Sequence, residues 1–194
     1  GQTDTSALDT FGLLRDHTIL AHAGFLNQND RTLVKNRNAG LAHCPISNVF
    51  FAGAALPVRD VLDDHVHCGL GTDLSGGYSP SIFENARQAV LASRMLESGT
   101  NPEIPPTKRG LPNHRIDFQE AFWLATRGGA EALGVPSGQL LPGQAFDALE
   151  LRCTSGSLRL SSQDSAASCA QKIVCHASPE TIDRVWINGR LVKE

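Results

Sequence analysis

Three residues in the first half of this chain follow short apolar runs, and each can bind a metal or move a proton. His22 closes Thr18-Ile19-Leu20-Ala21, His43 closes Leu41-Ala42, and Asp73 follows the run Val66–Leu70 through Gly71-Thr72. Imidazole nitrogens and carboxylate oxygens both ligate divalent zinc, and catalytic zinc usually keeps about three protein ligands and a water. Such a water becomes a nucleophile near neutral pH. A carboxylate beside it can hold the metal or accept the water's proton. A histidine beside it can hydrogen-bond the attacking oxygen or the developing oxyanion. Each residue also has a plainer reading. Asp73 could cap the turn before Gly76-Gly77, His22 could be a satisfied polar residue at a strand end, and His43, next to Cys44-Pro45, reads as part of a structural turn.

The other candidates are weaker. His65 and His67 form a His-x-His, but they lie before and inside the run that leads to Asp73, far from its C-terminal end. They read as structural. His17, His114 and His176 have no partner by spacing. Gly76 and Gly77 belong to no Gly-x-Gly-x-x-Gly or Walker pattern, so they carry no phosphate-binding signature.

Elements that would position these residues follow from the pattern. Thr18–Ala21, Leu41–Ala42 and Val66–Leu70 read as short buried strands, largely apolar rather than alternating, as in a parallel sheet. Between them, 27–38 reads as a helix capped by Asn27 or Asn29, with Leu33 and Val34 inward and Gly40 as its left-handed end. Pro45 stops the second strand, and Ser47 and Asn48 are expected in a polar loop. Leu56–Asp64 reads as a short helix with Pro57 in its first turn. Ile82, Phe83, Ala86, Ala89 and Val90 recur at helical spacing, which predicts a helix over 81–97 ended by Gly99. The region 100–115 has four prolines and reads as a connection. Asp117-Phe-Gln-Glu120 is a capping box. It opens a helix expected to stop near Gly128-Gly129, followed by a helical turn over 130–133. Beyond 138, Pro142-Gly143 is a turn, 146–151 reads as a strand, and 153–167 as a Ser-rich surface loop. A short helix is expected over 169–175, and Asn188-Gly189 between apolar runs predicts a hairpin. His22, His43 and Asp73 are 21 and 30 residues apart, which suits successive βα units. The alternation implies a parallel sheet.

Composition narrows the function classes. With 41% hydrophobic and 19% charged residues, the 194-residue chain is ordinary for a globular protein. A net charge of −3 gives no reason to expect nucleic acid or a membrane surface as partner. No apolar run approaches the ~20 residues that span a bilayer. The five cysteines include no Cys-x-x-Cys, which points to reduced thiols and a cytoplasmic location rather than a disulfide framework.

The quoted stretches also carry a family likeness. TILAHAG around His22, LAHCPISN over 41–48 and GLGTDLSGGYS over 69–79 resemble the amidohydrolase superfamily in its cytosine-deaminase and chlorohydrolase branch. Within it, Gly-Gly-Tyr-Ser after the aspartate is most similar to the guanine deaminases. NARQAVLAS, EAFWLATRGGAEALG and TIDRVWINGRLV extend the resemblance over nearly the whole chain.

The resemblance implies an α/β fold. It consists of a partial (β/α)8 TIM-like barrel, the last three βα units over 1–137, and the C-terminal part of a small β-sandwich over 138–194. It implies one zinc and hydrolysis of guanine to xanthine and ammonia. Asp73 would be zinc ligand, proton carrier and substrate contact, and His22 would hydrogen-bond the reacting water or the purine. No role for His43 or Asn48 follows from it. The family's first-strand His-x-His, fifth-strand His and Glu, and guanine-binding Arg and Gln are not found here. A whole barrel takes ~250 residues. The chain is therefore expected to be a C-terminal portion, inactive alone. A homodimer is a possible assembly. The alternatives are a zinc amidohydrolase for another heterocycle, or a non-catalytic scaffold derived from the fold.

Overall fold

The computed structural model describes residues 1–153 and 157–194. Three short strands, β1 (Ile19–Ala21), β2 (Gly40–His43) and β3 (His67–Leu70), form a parallel sheet in the order β1-β2-β3. Leu20 is level with Leu41, and Leu41 with Cys68. Helix α1 (Asp4–Thr10) precedes β1, and α2 (Gln28–Asn36) joins β1 to β2. The short α3 (Pro45–Ser47) and then α4 (Val58–Asp63) join β2 to β3. The expected βα alternation is therefore present.

Asn27 caps α2: its side chain accepts from Asn29 and Asp30 N–H, and Asp30 reaches back to the Asn27 N–H. Gly40 does not end α2, as its position had suggested. The left-handed residue is Asn38, with φ 51°, a conformation Asn tolerates. Gly40 instead opens β2, where an added Cβ would come within 2.9 Å of Ala132 Cβ.

Helix α5 (Ile82–Ser98) begins at Ser81, whose hydroxyl accepts from Glu84 N–H, and ends at Gly99 with φ 63°. It buries Ala86, Ala89, Val90 and Ser93, one face of a 3.6-residue repeat. This face joins Val34, Leu41, Val58, Val61 and Cys68 in the core. Each fully buried Val or Leu contributes roughly 1.5–3 kcal/mol.

The capping box at Asp117 opens α6 (Phe118–Trp123) with both of its hydrogen bonds made. Gly128-Gly129 does not stop this helix. The chain continues through a π-helical segment, Leu124–Gly128, into α7 (Gly129–Leu133). The glycines serve close approach to β3. A Cβ on Gly69 would lie 2.5 Å from Gly129 Cα, and one on Gly128 would lie 2.5 Å from the Cys68 carbonyl oxygen.

A second sheet is antiparallel: β4 (Ala148–Leu151), β5 (Ile182–Ile187) and β6 (Arg190–Lys193). Asn188 and Gly189, at φ 48° and 77°, form the predicted two-residue turn. Helix α8 (Ala166–His176) packs on α5 and α6. Arg87 of α5 donates to the Val174 and Ala177 carbonyls at the end of α8, at 2.9 and 3.1 Å. Helix α8 starts three residues earlier than expected, capped by Ser165. The Ser-rich stretch is not simply surface, because Leu158 is fully buried. Residues 154–156 of that stretch lie outside the described residues. Among the described residues, no helix is long and apolar enough to cross a membrane.

Candidate active site

All three chemical candidates emerge at the C-terminal edge of the parallel sheet, where open α/β sheets place their sites. His22 follows β1 directly, His43 is the last residue of β2, and Asp73 stands three residues after β3. Two of the three meet. His22 Nε2 lies 3.8 Å from Asp73 Oδ2, and both side chains are part-exposed. They line a cleft of about 400 Å³ with Ser47, Asn48, Phe51, Ala52 and Gly76. His22, Ala23 and Asp73 all have positive φ, at 70°, 54° and 46°. Such backbone is uncommon away from glycine and costs energy unless its surroundings fix it.

The fixing groups come from the segment after β2. Ser47 and Asn48 do not sit in a loop. Pro45, pre-set for a first helical turn, starts α3, and a π-helical turn, Asn48–Ala52, continues it. This helical path carries both residues back over the strand ends. Ser47 Oγ donates to Asp73 Oδ2 at 2.6 Å. Asn48 Oδ1 lies 2.9 Å from His22 Nδ1, and Asn48 Nδ2 donates to the His22 carbonyl oxygen at 3.2 Å. Both residues are buried. Residue types alone gave no partner for them. The available signal was Pro45, which starts a helix as readily as it stops a strand.

Gly76 and Gly77 also acquire a reason. A Cβ on Gly76 would overlap the Asp73 carboxylate, and one on Gly77 would overlap the Thr72 carbonyl oxygen. Gly76 gives the carboxylate room, and Gly77 lets the backbone close on Thr72.

His43 does not join the cleft. It is 1% exposed, and among the described residues neither ring nitrogen has a hydrogen-bond partner. Burial alone lowers its pKa to about 4, so the ring is neutral. Cys44, beside it, has its thiol pKa pushed up, mainly by burial and further by the Asp73 charge. Burial raises the Cys68 thiol to about 12. Neither cysteine is a ready thiolate. His65 and His67 lie at the opposite end of β3, as expected. His67 Nε2 is 2.9 Å from Asn38 Oδ1.

His22 and Asp73 are the metal-capable donors of the cleft. Among the described residues, no group of three or more His, Cys, Asp and Glu side chains is placed to hold a metal ion. The pair could supply at most two of the three protein ligands usual for catalytic zinc.

Residues 2–192 match the amidohydrolase family. The chain belongs to that family. Among curated proteins, this amidohydrolase chain is similar to the probable guanine deaminase of Schizosaccharomyces pombe, 36% identical over 189 residues, which cover 95% of this chain and 34% of the relative. Among solved structures it is similar to E. coli guanine deaminase, with a TM-score of 0.79 at 23% identity, over 97% of this chain and 42% of that one. It is also similar to an adenosine deaminase from Xanthomonas campestris with bound zinc, with a TM-score of 0.77 at 22% identity, over 96% and 39% of the two chains. The amidohydrolase chain thus spans between about a third and two fifths of the length of these relatives.

Proposed function

We propose that this chain supplies the His22–Asp73 portion of a zinc-dependent aminohydrolase that converts guanine and water to xanthine and ammonia. The observation that carries the reading is the meeting of His22 and Asp73 at the C-terminal edge of the parallel strands, braced by Ser47 and Asn48. Similarity to guanine deaminases supports the substrate. The three βα units are read as the last three of an eightfold barrel ending near residue 137. The β4-β5-β6 sheet is read as part of a small β-sandwich over 138–194.

Asp73 is the residue that would hold zinc. Ser47 engages its Oδ2, and Oδ1 remains for the metal. Bound zinc would supply a water acidified to near-neutral pKa. Asp73 would accept a proton from the attacking water as its oxygen bonds to the amine-bearing carbon, and would return it to the exocyclic amine, so that the C–N bond breaks and ammonia leaves neutral. His22 holds the attacking oxygen. With two donors in its cleft, the 194-residue chain alone is read as inactive.

A fusion tests this. The part of the S. pombe relative that precedes the aligned region is joined ahead of Gly1, and xanthine and ammonia are measured from guanine. The fusion is expected to release both with added zinc, and the chain alone neither. A soluble, zinc-loaded fusion that leaves guanine unchanged and deaminates another heterocycle would overturn the substrate. Turnover by the chain alone would overturn the division of the site.

A further inference from the structure

Asn48 touches His22 at two points, and together they settle where the histidine's proton sits. A carboxamide can be placed with its oxygen and nitrogen exchanged, but only one placement works here. One end of Asn48 faces the His22 backbone carbonyl oxygen at 3.2 Å. A carbonyl oxygen has no proton to give, so that end must be the NH2. The other end is then Oδ1, an acceptor only, and it lies 2.9 Å from His22 Nδ1. The ring nitrogen facing it must carry a proton. Asn48 is 2% exposed, so bulk water does not relieve that requirement.

We infer that Asn48 is a positioning residue that holds neutral His22 as its Nδ1–H tautomer and turns the Nε2 lone pair toward the cleft. The partner of one ring nitrogen sets the state of the other. Nε2 then faces Asp73 Oδ2 across 3.8 Å, too far for a direct hydrogen bond. Two acceptors facing each other leave a gap of this kind, which a proton-bearing group can bridge. Ser47, one residue earlier, donates to the same Oδ2 at 2.6 Å. A single helical turn therefore engages one atom of each site residue, Nδ1 of His22 and Oδ2 of Asp73.

The catalytic consequence rests on the deaminase reading. His22 engages the attacking water as an acceptor, taking a hydrogen bond from it, rather than as a donor to its oxygen. The tautomer itself rests only on geometry.

Nitrogen-15 NMR of the 194-residue chain with labelled histidines tests the inference at about pH 8.5, above the usual imidazole range near 6.5. Of the seven histidines, His22 is the one whose ring signals vanish in His22→Gln. Its Nδ1 is expected to give a protonated, pyrrole-like signal and its Nε2 an unprotonated, pyridine-like one. Asn48→Asp keeps an acceptor at Nδ1 and is expected to keep Nδ1 protonated, while losing the hydrogen bond to the His22 carbonyl. Asn48→Ala removes the acceptor and is expected to move the pair toward Nε2–H, with the amide spectrum confirming a folded chain. A wild-type His22 protonated on Nε2, or an unchanged pair in folded Asn48→Ala, would overturn the inference. If Asn48→Ala does not fold, the wild-type and Asn48→Asp spectra decide. A fusion that fails on guanine while the tautomer holds would count against the functional reading alone.

Discussion

Two clefts of nearly equal size lie at opposite ends of β3, and both contain histidine and carboxylate. The C-terminal one, about 400 Å³, holds His22 and Asp73. The N-terminal one, about 380 Å³, is lined by Leu62, His65, Val66, His67, Glu120, Trp123 and Glu131. Size does not separate them, and neither does unusual backbone, since His65 also has a positive φ of 56°. Partners do. At the N-terminal cleft three of the polar side chains, His67, Glu120 and Glu131, are engaged elsewhere. His67 meets Asn38, Glu120 accepts from the Asp117 N–H and from Arg59, and Glu131 pairs with Arg127 at 2.6 Å. At the C-terminal cleft His22 and Asp73 face each other, held by Asn48 and Ser47. What distinguishes the C-terminal cleft is a histidine and a carboxylate that face each other, rather than titratable groups near a hollow.

The largest expected effect contrasts one carboxylate from each cleft. In the fusion described above, Asp73→Asn is expected to lower guanine turnover by about 10²- to 10⁴-fold, the range of general acid–base contributions. Glu131→Gln is expected to stay within about twofold, as a surface change does. Equal losses would erase the distinction between the clefts.

The next tests concern what holds each edge in place. Gly69→Ala drives a Cβ to 2.5 Å from Gly129 Cα. It is expected to cost about 3 kcal/mol in urea unfolding of the chain, the upper range of overpacking. A cost below about 1 kcal/mol would mean that β3 does not depend on this contact with the helical run behind it.

His43 gives an effect of similar size that depends on pH. Its folded pKa is lowered from 6.5 to about 4 by burial, so the folded chain binds fewer protons than the unfolded one. The contribution is fully present above about pH 6.5, declines as pH falls, and is lost by about pH 4, a change of roughly 3 kcal/mol. His43→Leu is expected to flatten that part of the stability profile. An unchanged slope in the variant would assign the acid sensitivity to other groups.

The smallest effect is Glu120→Gln at the N-terminal cleft. It weakens the helix cap and the ion pair to Arg59, for an expected cost of about 1 kcal/mol. The same variant in the fusion should leave guanine turnover unaltered.

Much of this was legible in the sequence because it is local. The caps at Asn27 and Asp117, the Asn188-Gly189 turn and the strand ends at His22 and Asp73 each depend on a few neighbouring residues. What was hidden depends on elements distant along the chain. Gly128 and Gly129 look like helix stops until β3 is seen pressed against them. Gly40 looks like a helix end until Ala132 is seen behind it. Ser47 and Asn48 look like loop residues because their partners are 26 positions away, at Asp73 and His22. The strand-end placement of His22 and Asp73 was readable, whereas the residues that hold them were not.

The most direct measurement compares one histidine from each cleft. His22→Gln and His67→Gln are made in the fusion, and kcat/KM for guanine is measured for both. The account predicts a loss of about 100-fold or more for His22→Gln and an unchanged value for His67→Gln. Retained activity in His22→Gln, or a comparable loss in folded His67→Gln, would contradict it.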